Sequence, residues 1–251
     1  MSKLTTRTRA RQELTDSDIR AMYELYESYY DATSFELFRS DLAAKSHVIE
    51  LQCEGALRGF STISVLDARL SGERCRAIFS GDTIIDQAFW GEQALVRAFC
   101  YFAGQVKLSA PGEPLYWLLI SKGYRTYRYL SAFAHRYYPN HSTQTPEPIR
   151  ARMESLARAK FGEYFDAQRG LICFPQSRGH LKAQWAQVRE QLHEHPAVRF
   201  FLARNPRYHE GQELVCLTEF ADDNLRSFAR HAFLQGLQGD ADGDAELASA
   251  L

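Results

Sequence analysis

Three observations on this 251-residue chain predict an α+β fold, a mixed, mostly antiparallel sheet flanked by helices and followed by a mainly helical C-terminal extension. Two helical patterns with capping signals come first. Three strand-like runs joined by short glycine turns follow them. A helix, a short continuous apolar run and another helix complete the order. Composition agrees with a folded globular protein: 45% hydrophobic, 24% charged, formal net charge −1. The near-neutral charge argues against a general nucleic-acid coat. No apolar run reaches the roughly 18 residues of a membrane span. The start, MSKLTTRTRARQEL, lacks an apolar core, so no secretory leader is expected. Five scattered cysteines without a C-x-x-C pair predict reduced thiols and a cytoplasmic setting.

Residues 1–12 are polar and basic and read as a flexible N-terminus. Thr15 and Asp18 form a capping box, with Leu14 and Ile19 as its hydrophobic staple. The helix that follows places Met22, Tyr23, Tyr26, Tyr29 and Tyr30 at helical spacing. A second box, Thr33 with Glu36, opens a helix whose stripe is Phe35, Phe38 and Leu42. Residues 48–53 and 59–66 are strand-like around Glu54-Gly55, with a further turn at Ser71-Gly72. Residues 74–79 alternate polar and apolar, and Ser80-Gly81-Asp82 interrupts that run before Thr83-Ile84-Ile85. A glycine inside a strand pattern marks a bulge or a close approach of a ligand to the backbone. The alternative is an exposed turn in which Asp82 bonds its own backbone.

Trp90-Gly91 opens a helix with the stripe Leu95, Phe99, Phe102 and Val106. A helix N-terminus presents unpaired N–H groups and partial positive charge, so 91–94 is a candidate phosphate site. The bland reading leaves Gly91 as a turn residue and Trp90 packed on the sheet. Residues 115–120 read as a strand buried on both faces, and 124–135 as a helix. Its tyrosines are either core or proton donors. Lys122, Arg125, Arg128 and Arg136 suggest a basic face for phosphate or an acidic partner, or else a solvated surface. The segment 139–148 is a linker. Helices are expected over 149–166, 181–194 and 223–234, with short strands at 171–174 and 213–220 and a disordered acidic tail from 235 to 251.

The element order and the segment SGDTIIDQAFWGEQALVRAF resemble the GNAT acyltransferase superfamily over residues 13–140. The family's pyrophosphate loop, Q/R-x-x-G-x-G/A, has a degenerate counterpart from Gln87 to Ala94 with one glycine. The resemblance implies a central strand bulged at Ser80–Thr83 that parts from its neighbour to admit a thioester arm. It implies acyl-CoA or acyl-phosphopantetheine as co-substrate, with no tightly bound cofactor. Thr83, Ile84 and Ile85 would then bind the donor along the strand. Trp90, Gly91, Glu92, Gln93 and Ala94 would take its phosphates, with Arg125. Asp82 would accept the acceptor's proton, and Ser121, Tyr124 or Tyr127 would serve the leaving thiolate. An amine, or less readily a hydroxyl, would attack directly. The donor carrier would be CoA or an acyl carrier protein, and residues 141–234 would act as an acceptor or acyl-chain lid. A degenerate, non-catalytic ligand- or protein-binding module is the alternative, and an Arg/Tyr-rich nucleotide or RNA platform over 122–138 a third reading. No metal site is expected. His193-Glu194-His195 lacks H-E-x-x-H spacing, and Pro196 is expected to end the helix there. Neither G-x-S-x-G nor a P-loop occurs.

Overall fold

A computed structural model describes residues 4–70 and 72–239. Strand β1 (Leu4–Ala10) leads through a short 3-10 turn into helix α1 (Asp16–Glu27), β2 (Tyr30–Asp31) and α2 (Phe35–Ala43). Strands β3 (His47–Cys53), β4 (Ala56–Leu70) and β5 (Glu73–Ile85) form a meander, followed by α3 (Ala94–Leu108) and β6 (Leu115–Ser121). Then come α4 (Tyr124–Phe133), β7 (Tyr137–Tyr138), α5 (Glu147–Phe161), β8 (Phe165–Asp166), β9 (Leu171–Ile172) and β10 (His180–Leu181). The chain ends in α6 (Ala183–Ala186), α7 (Pro196–Arg204), β11 (Glu213–Glu219) and α8 (Ser227–Gln238).

The main sheet runs β1-β3-β4-β5-β6-β11-β9-β8, with β7 also on β11. Every pair is antiparallel except β5–β6, which are parallel because α3 carries the chain across between them. One sheet face packs on α3, α4, α7 and α8 through Ile63, Ile78, Leu115, Trp117, Phe99 and Phe233. The other is covered at one end by α1 and α2, through Phe60, Ile84, Met22 and Phe38. At its other end α5 covers it through Phe79, Leu118 and Leu156. No helix among the described residues is long and apolar enough to cross a membrane.

Several expectations change here. Residues 4–10 are an ordered edge strand rather than a mobile leader: their Thr/Arg alternation has period two, and Leu4 to Ala10 pair in register with Cys53 to His47. Buried Arg9 ties this strand to Glu50 at 3.3 Å and to Asp18 at 3.0 Å. The Thr15–Asp18 capping box forms, but α2 is capped by Ser34, whose hydroxyl accepts from the Leu37 N–H, and not by Thr33. Tyr29 and Tyr30 lie beyond the end of α1, and β2 pairs with β10 instead. The expected helix over 181–194 is reduced to α6 and a 3-10 turn. Pro196 starts a helix instead of ending one: it occupies the first turn of α7, and the His195 ring accepts from the Ala197 N–H. Helix α8 runs through 235–238, where a disordered tail was expected. The rest of that segment, and Ser71 of the expected turn, lie outside the described residues.

Candidate functional site

Strand β5 pairs with β6 from Arg76–Leu115 to Ser80–Leu119, and there the pairing stops although both strands continue. On its other edge β5 stays on β4, with a register shift: Ser61 faces Thr83 and Ile63 faces Ser80. Thr62 alone therefore opposes Gly81 and Asp82, which is a β-bulge. A larger residue there would displace the neighbouring side chains. A Cβ on Gly81 would lie 2.6 Å from Thr62 Oγ1 and 2.7 Å from Lys45 Cε.

The extra residue reverses the alternation of the strand. Before the bulge, Ile78 packs on the α3 side and Phe79 on the opposite face. After it, Thr83 turns to the α3 side, where its hydroxyl meets that of Ser61 at 2.8 Å, while Asp82 faces α1 and α2. Backbone directions follow the same ladder. Asp86 N–H donates to Arg58 O at 2.7 Å, so Ile84 exchanges its bonds with Phe60, and Thr83 and Ile85 aim theirs at the gap beside β6. Ile84 is thus committed to β4 and only 4% exposed, with its backbone bonds turned away from the gap and its side chain toward the α1/α2-side cavity. The Ile85 carbonyl accepts from the Trp90 indole N–H at 2.8 Å.

A cavity opens on each face of the sheet at this gap. The one on the α3/α4 side, about 650 Å3, is walled by Leu95, Phe99, Trp117, Phe133 and Tyr129. The one on the α1/α2 side, about 400 Å3, is walled by Tyr26, Tyr30, Asp82, Lys122, Lys160 and Glu213. Thr83, Ile85, Trp90, Leu119, Tyr124, Arg125 and Thr126 line both. The two cavities therefore meet where the strands part.

The expected site residues are distributed unevenly around this window. Asp82 and Tyr124 line it, and Arg125 Nε donates to the Tyr124 hydroxyl at 3.2 Å. Ser121 does not reach either cavity: it is fully buried and donates to Gly123 O at 2.8 Å. Tyr127 does not either. It lies in the core among Tyr137, Phe200 and Phe201, and its hydroxyl donates to Pro139 O at 2.9 Å. Helical spacing put Tyr124 and Tyr127 on one face, but α7, absent from the sequence reading, packs on α4 and encloses Tyr127. Trp90 closes the mouth, with the Arg125 guanidinium 4.6 Å above its ring and Trp185 edge-on at 5.3 Å. Gly91 has φ +103° and open space at its Cβ position. Glu92 and Gln93 follow, and Gln93 caps α3 without covering the first-turn amides of Ala94 onward with its side chain. Arg125 and Arg128 line the α3/α4-side cavity. The expected continuous basic face is not formed. Lys122 points to the opposite sheet face, and Arg136 is exposed and bound to Asp223 at 2.9 Å.

The α1/α2-side cavity holds charged groups that sequence reading passed over. Lys122, just past the end of β6, and Glu213, the first residue of the adjacent β11, pair at 3.7 Å with 13% and 6% of their side chains exposed. Lys45 is paired with Asp41. Burial pushes the Asp82 carboxyl above its ordinary value, against the opposing pull of Lys122 and Lys45. Burial, aided by Asp82 and opposed by Lys122, raises Glu213 to about 7. Tyr30 rises to about 12 by burial, and the Lys122 ammonium lies 5.4 Å from its ring centroid. Burial alone would lower Lys122, but Glu213, Tyr26 and Asp82 hold it well above the usual lysine value. The pairing of 213 with 122 was visible in the sequence only as two separate strand ends. No cluster of His, Cys, Asp and Glu fit for a metal occurs among the described residues.

No family model matches the chain, and no curated protein matches it. Among solved structures it is similar to a protein of unknown function from Enterococcus faecalis V583, described as a probable N-acyltransferase. That match has a TM-score of 0.39 and 14% identity over 53% of this chain and 33% of the other. It is also similar to the GNAT family N-acetyltransferase YhbS of Escherichia coli in complex with CoA (TM-score 0.37, 15% identity, 53% of this chain and 69% of that one). A third is NAA60 of Arabidopsis thaliana in complex with a bisubstrate analogue (TM-score 0.36, 14% identity, 53% and 86%). The chain spans a third of the length of the Enterococcus protein. Scores of this size assign no activity.

Proposed function

We propose that the chain is a GNAT-like acyltransferase that moves an acyl group from a CoA or acyl-carrier thioester to an amine. The observation that carries this reading is the parting of β5 from β6 after Ser80 and Leu119, with a cavity on each face meeting at the gap. The donor enters from the α3/α4 side. Its phosphates lie at the α3 N-terminus beside Arg125 and Arg128, where unpaired N–H groups and positive charge favour an anion. Its pantetheine arm bonds the gap-facing backbone of Thr83 and Ile85, and the thioester carbon sits in the window. The acceptor occupies the α1/α2-side cavity.

In the reaction, the acceptor nitrogen forms a bond to the thioester carbon. The carbonyl oxygen gains negative charge, which the Thr83 N–H stabilises. Asp82, its carboxyl raised by burial and facing this cavity, takes the proton from nitrogen. The carbon–sulfur bond then breaks, and the Tyr124 hydroxyl returns a proton to the thiolate. The segment around Trp185 and Ala186, from the C-terminal part of the chain, forms the outer wall of the acceptor side.

Thermal unfolding with a panel of acyl-CoA and acyl-carrier thioesters tests the reading. A ligand at 100 times its Kd adds about 2.7 kcal/mol to stability. A raised Tm with at least one thioester, and thiol release when amines are added, is the expected result. A folded sample that shifts with no thioester removes the proposal. Binding without any thiol release favours the non-catalytic alternative.

A further inference from the structure

The charges of the α1/α2-side cavity do not all cancel inside the protein. Lys45 is matched by Asp41, and Lys122 by Glu213 at 3.7 Å. Two groups remain. Asp82 has no cation within ion-pair distance among the described residues, although Lys122 and Lys45 act on it from farther away. Lys160, near the end of α5, has no carboxylate partner and no hydrogen bond among the described residues. Its ammonium lies over the Phe79 ring, 4.6 Å from the centroid. Phe79, before the bulge, and Asp82, within it, project from the same face of β5. The unmatched acid on β5 and the unmatched base of α5, which lies over Phe79 of the same strand face, therefore line one cavity.

A buried cation without a counter-ion is costly, and such a group lowers its pKa or acquires a partner. Lys160 is depressed, first by burial and then by Lys45, with Asp41 opposing. A ligand bearing an anion would supply the missing partner. A ligand bearing an amine would find Asp82. Tyr26, Tyr30, Phe161 and Tyr164 line the recess between them, and the other lysines and carboxylates there, Lys45 with Asp41 and Lys122 with Glu213, are paired with one another. At the mouth the Arg178 guanidinium lies over Phe174 at 4.5 Å, adding a further cation without a carboxylate partner among the described residues.

We infer that the acceptor is a free amino acid, its amine directed to Asp82 and its carboxylate held by Lys160. The inference rests on the acyl-transfer reading for the fate of the amine, but not for binding. Nitrogen attached to the acyl carbon loses its proton to Asp82, and the carboxylate keeps its charge against Lys160 throughout.

Thermal shift and calorimetry on the full chain test it, with and without CoA. The probes are the proteinogenic amino acids, β-alanine and 4-aminobutyrate, each beside its amide and its decarboxylated amine. At least one amino acid is expected to bind tenfold or more tightly than its amide. Lys160→Met should erase that preference, and Lys160→Arg should keep it. An amide that binds as well as its acid, or a preference unchanged in Lys160→Met, overturns the inference, as does the failure of every amino acid to bind. Should Lys160→Met not fold, the acid-against-amide comparison on the native chain decides. Amino-acid discrimination without any thioester binding would remove the donor reading and leave this subsite standing. Thioester binding without discrimination would do the reverse.

Discussion

The two faces of the sheet are built to opposite specifications. On the α3/α8 side the backbones themselves touch. A Cβ on Gly104 would lie 2.2 Å from Phe233 O, and one on Gly236 would lie 2.0 Å from Tyr101 O. Beside that seam Phe99, Trp117 and Phe220 pack at centroid distances of 5.0 to 6.4 Å, and Phe99 and Trp117 also wall the apolar α3/α4-side cavity. On the α1/α2 side, by contrast, Lys45, Lys122, Lys160, Asp41, Asp82 and Glu213 border a cavity under partial burial. The close-packed α3/α8 seam tolerates no added atoms, whereas buried charge is held only by its partners. The difference teaches where stability and chemistry reside: the first face holds the sheet, and the second is free to be polar because the first is not.

Substitutions can separate the two. Asp82→Asn carries the largest expected effect. It removes the proton acceptor and should lower turnover by roughly 10²–10⁴-fold. It should not lower Tm, because Asn imposes no buried charge. Stopped thiol-release assays and a melting curve on the same sample measure both. A variant that turns over normally would move the chemistry away from this face.

Gly104→Ala is the counterpart on the other face. The added methyl meets a carbonyl oxygen of α8 rather than a flexible side chain, so α3 and α8 must separate. A loss of about 3 kcal/mol is expected in denaturant unfolding, at the upper end of ordinary overpacking. The fraction that remains folded should retain its thioester affinity. An unchanged midpoint would show that the close contact is not needed.

The smallest effect is on pH dependence. Burial raises Glu213 from 4.5 to about 7 in the folded chain. The folded state thus binds a proton more tightly than the unfolded one. That contribution is fully present below about pH 4.5 and is lost as pH rises through about 7. Asp82, shifted in the same direction, adds to the decline. Glu213→Gln should flatten the loss of stability across that window, read as Tm against pH. A curve identical to the native one would mean that Lys122 compensates the ionised carboxylate in full.

Much of this contrast could be read from local pattern. The Ser80-Gly81-Asp82 break in an alternating run pointed to a bulge or an exposed turn, and the register against β4 shows the bulge. The Leu95, Phe99, Phe102 and Val106 stripe gave α3 and its buried face. What escaped depended on distant partners. Strand β1 looked like a charged leader because Arg9 is polar by type, and only Glu50 and Asp18 explain its burial. Lys160, 38 positions after Lys122 in the chain, reaches the same cavity because α5 packs against the β5 face carrying Phe79. Tyr127 and Ser121 looked reactive by residue type, and lost that standing to neighbours that a one-dimensional pattern does not contain.

The window beside Thr83 and Leu119 lies between two parted strands. Side-chain exchange can refine what lies above or below such a slot but can do little to its width, which strand geometry sets. Evolution of new preferences in this scaffold would therefore proceed by remodelling the two antechambers, while the keyhole between them keeps its width.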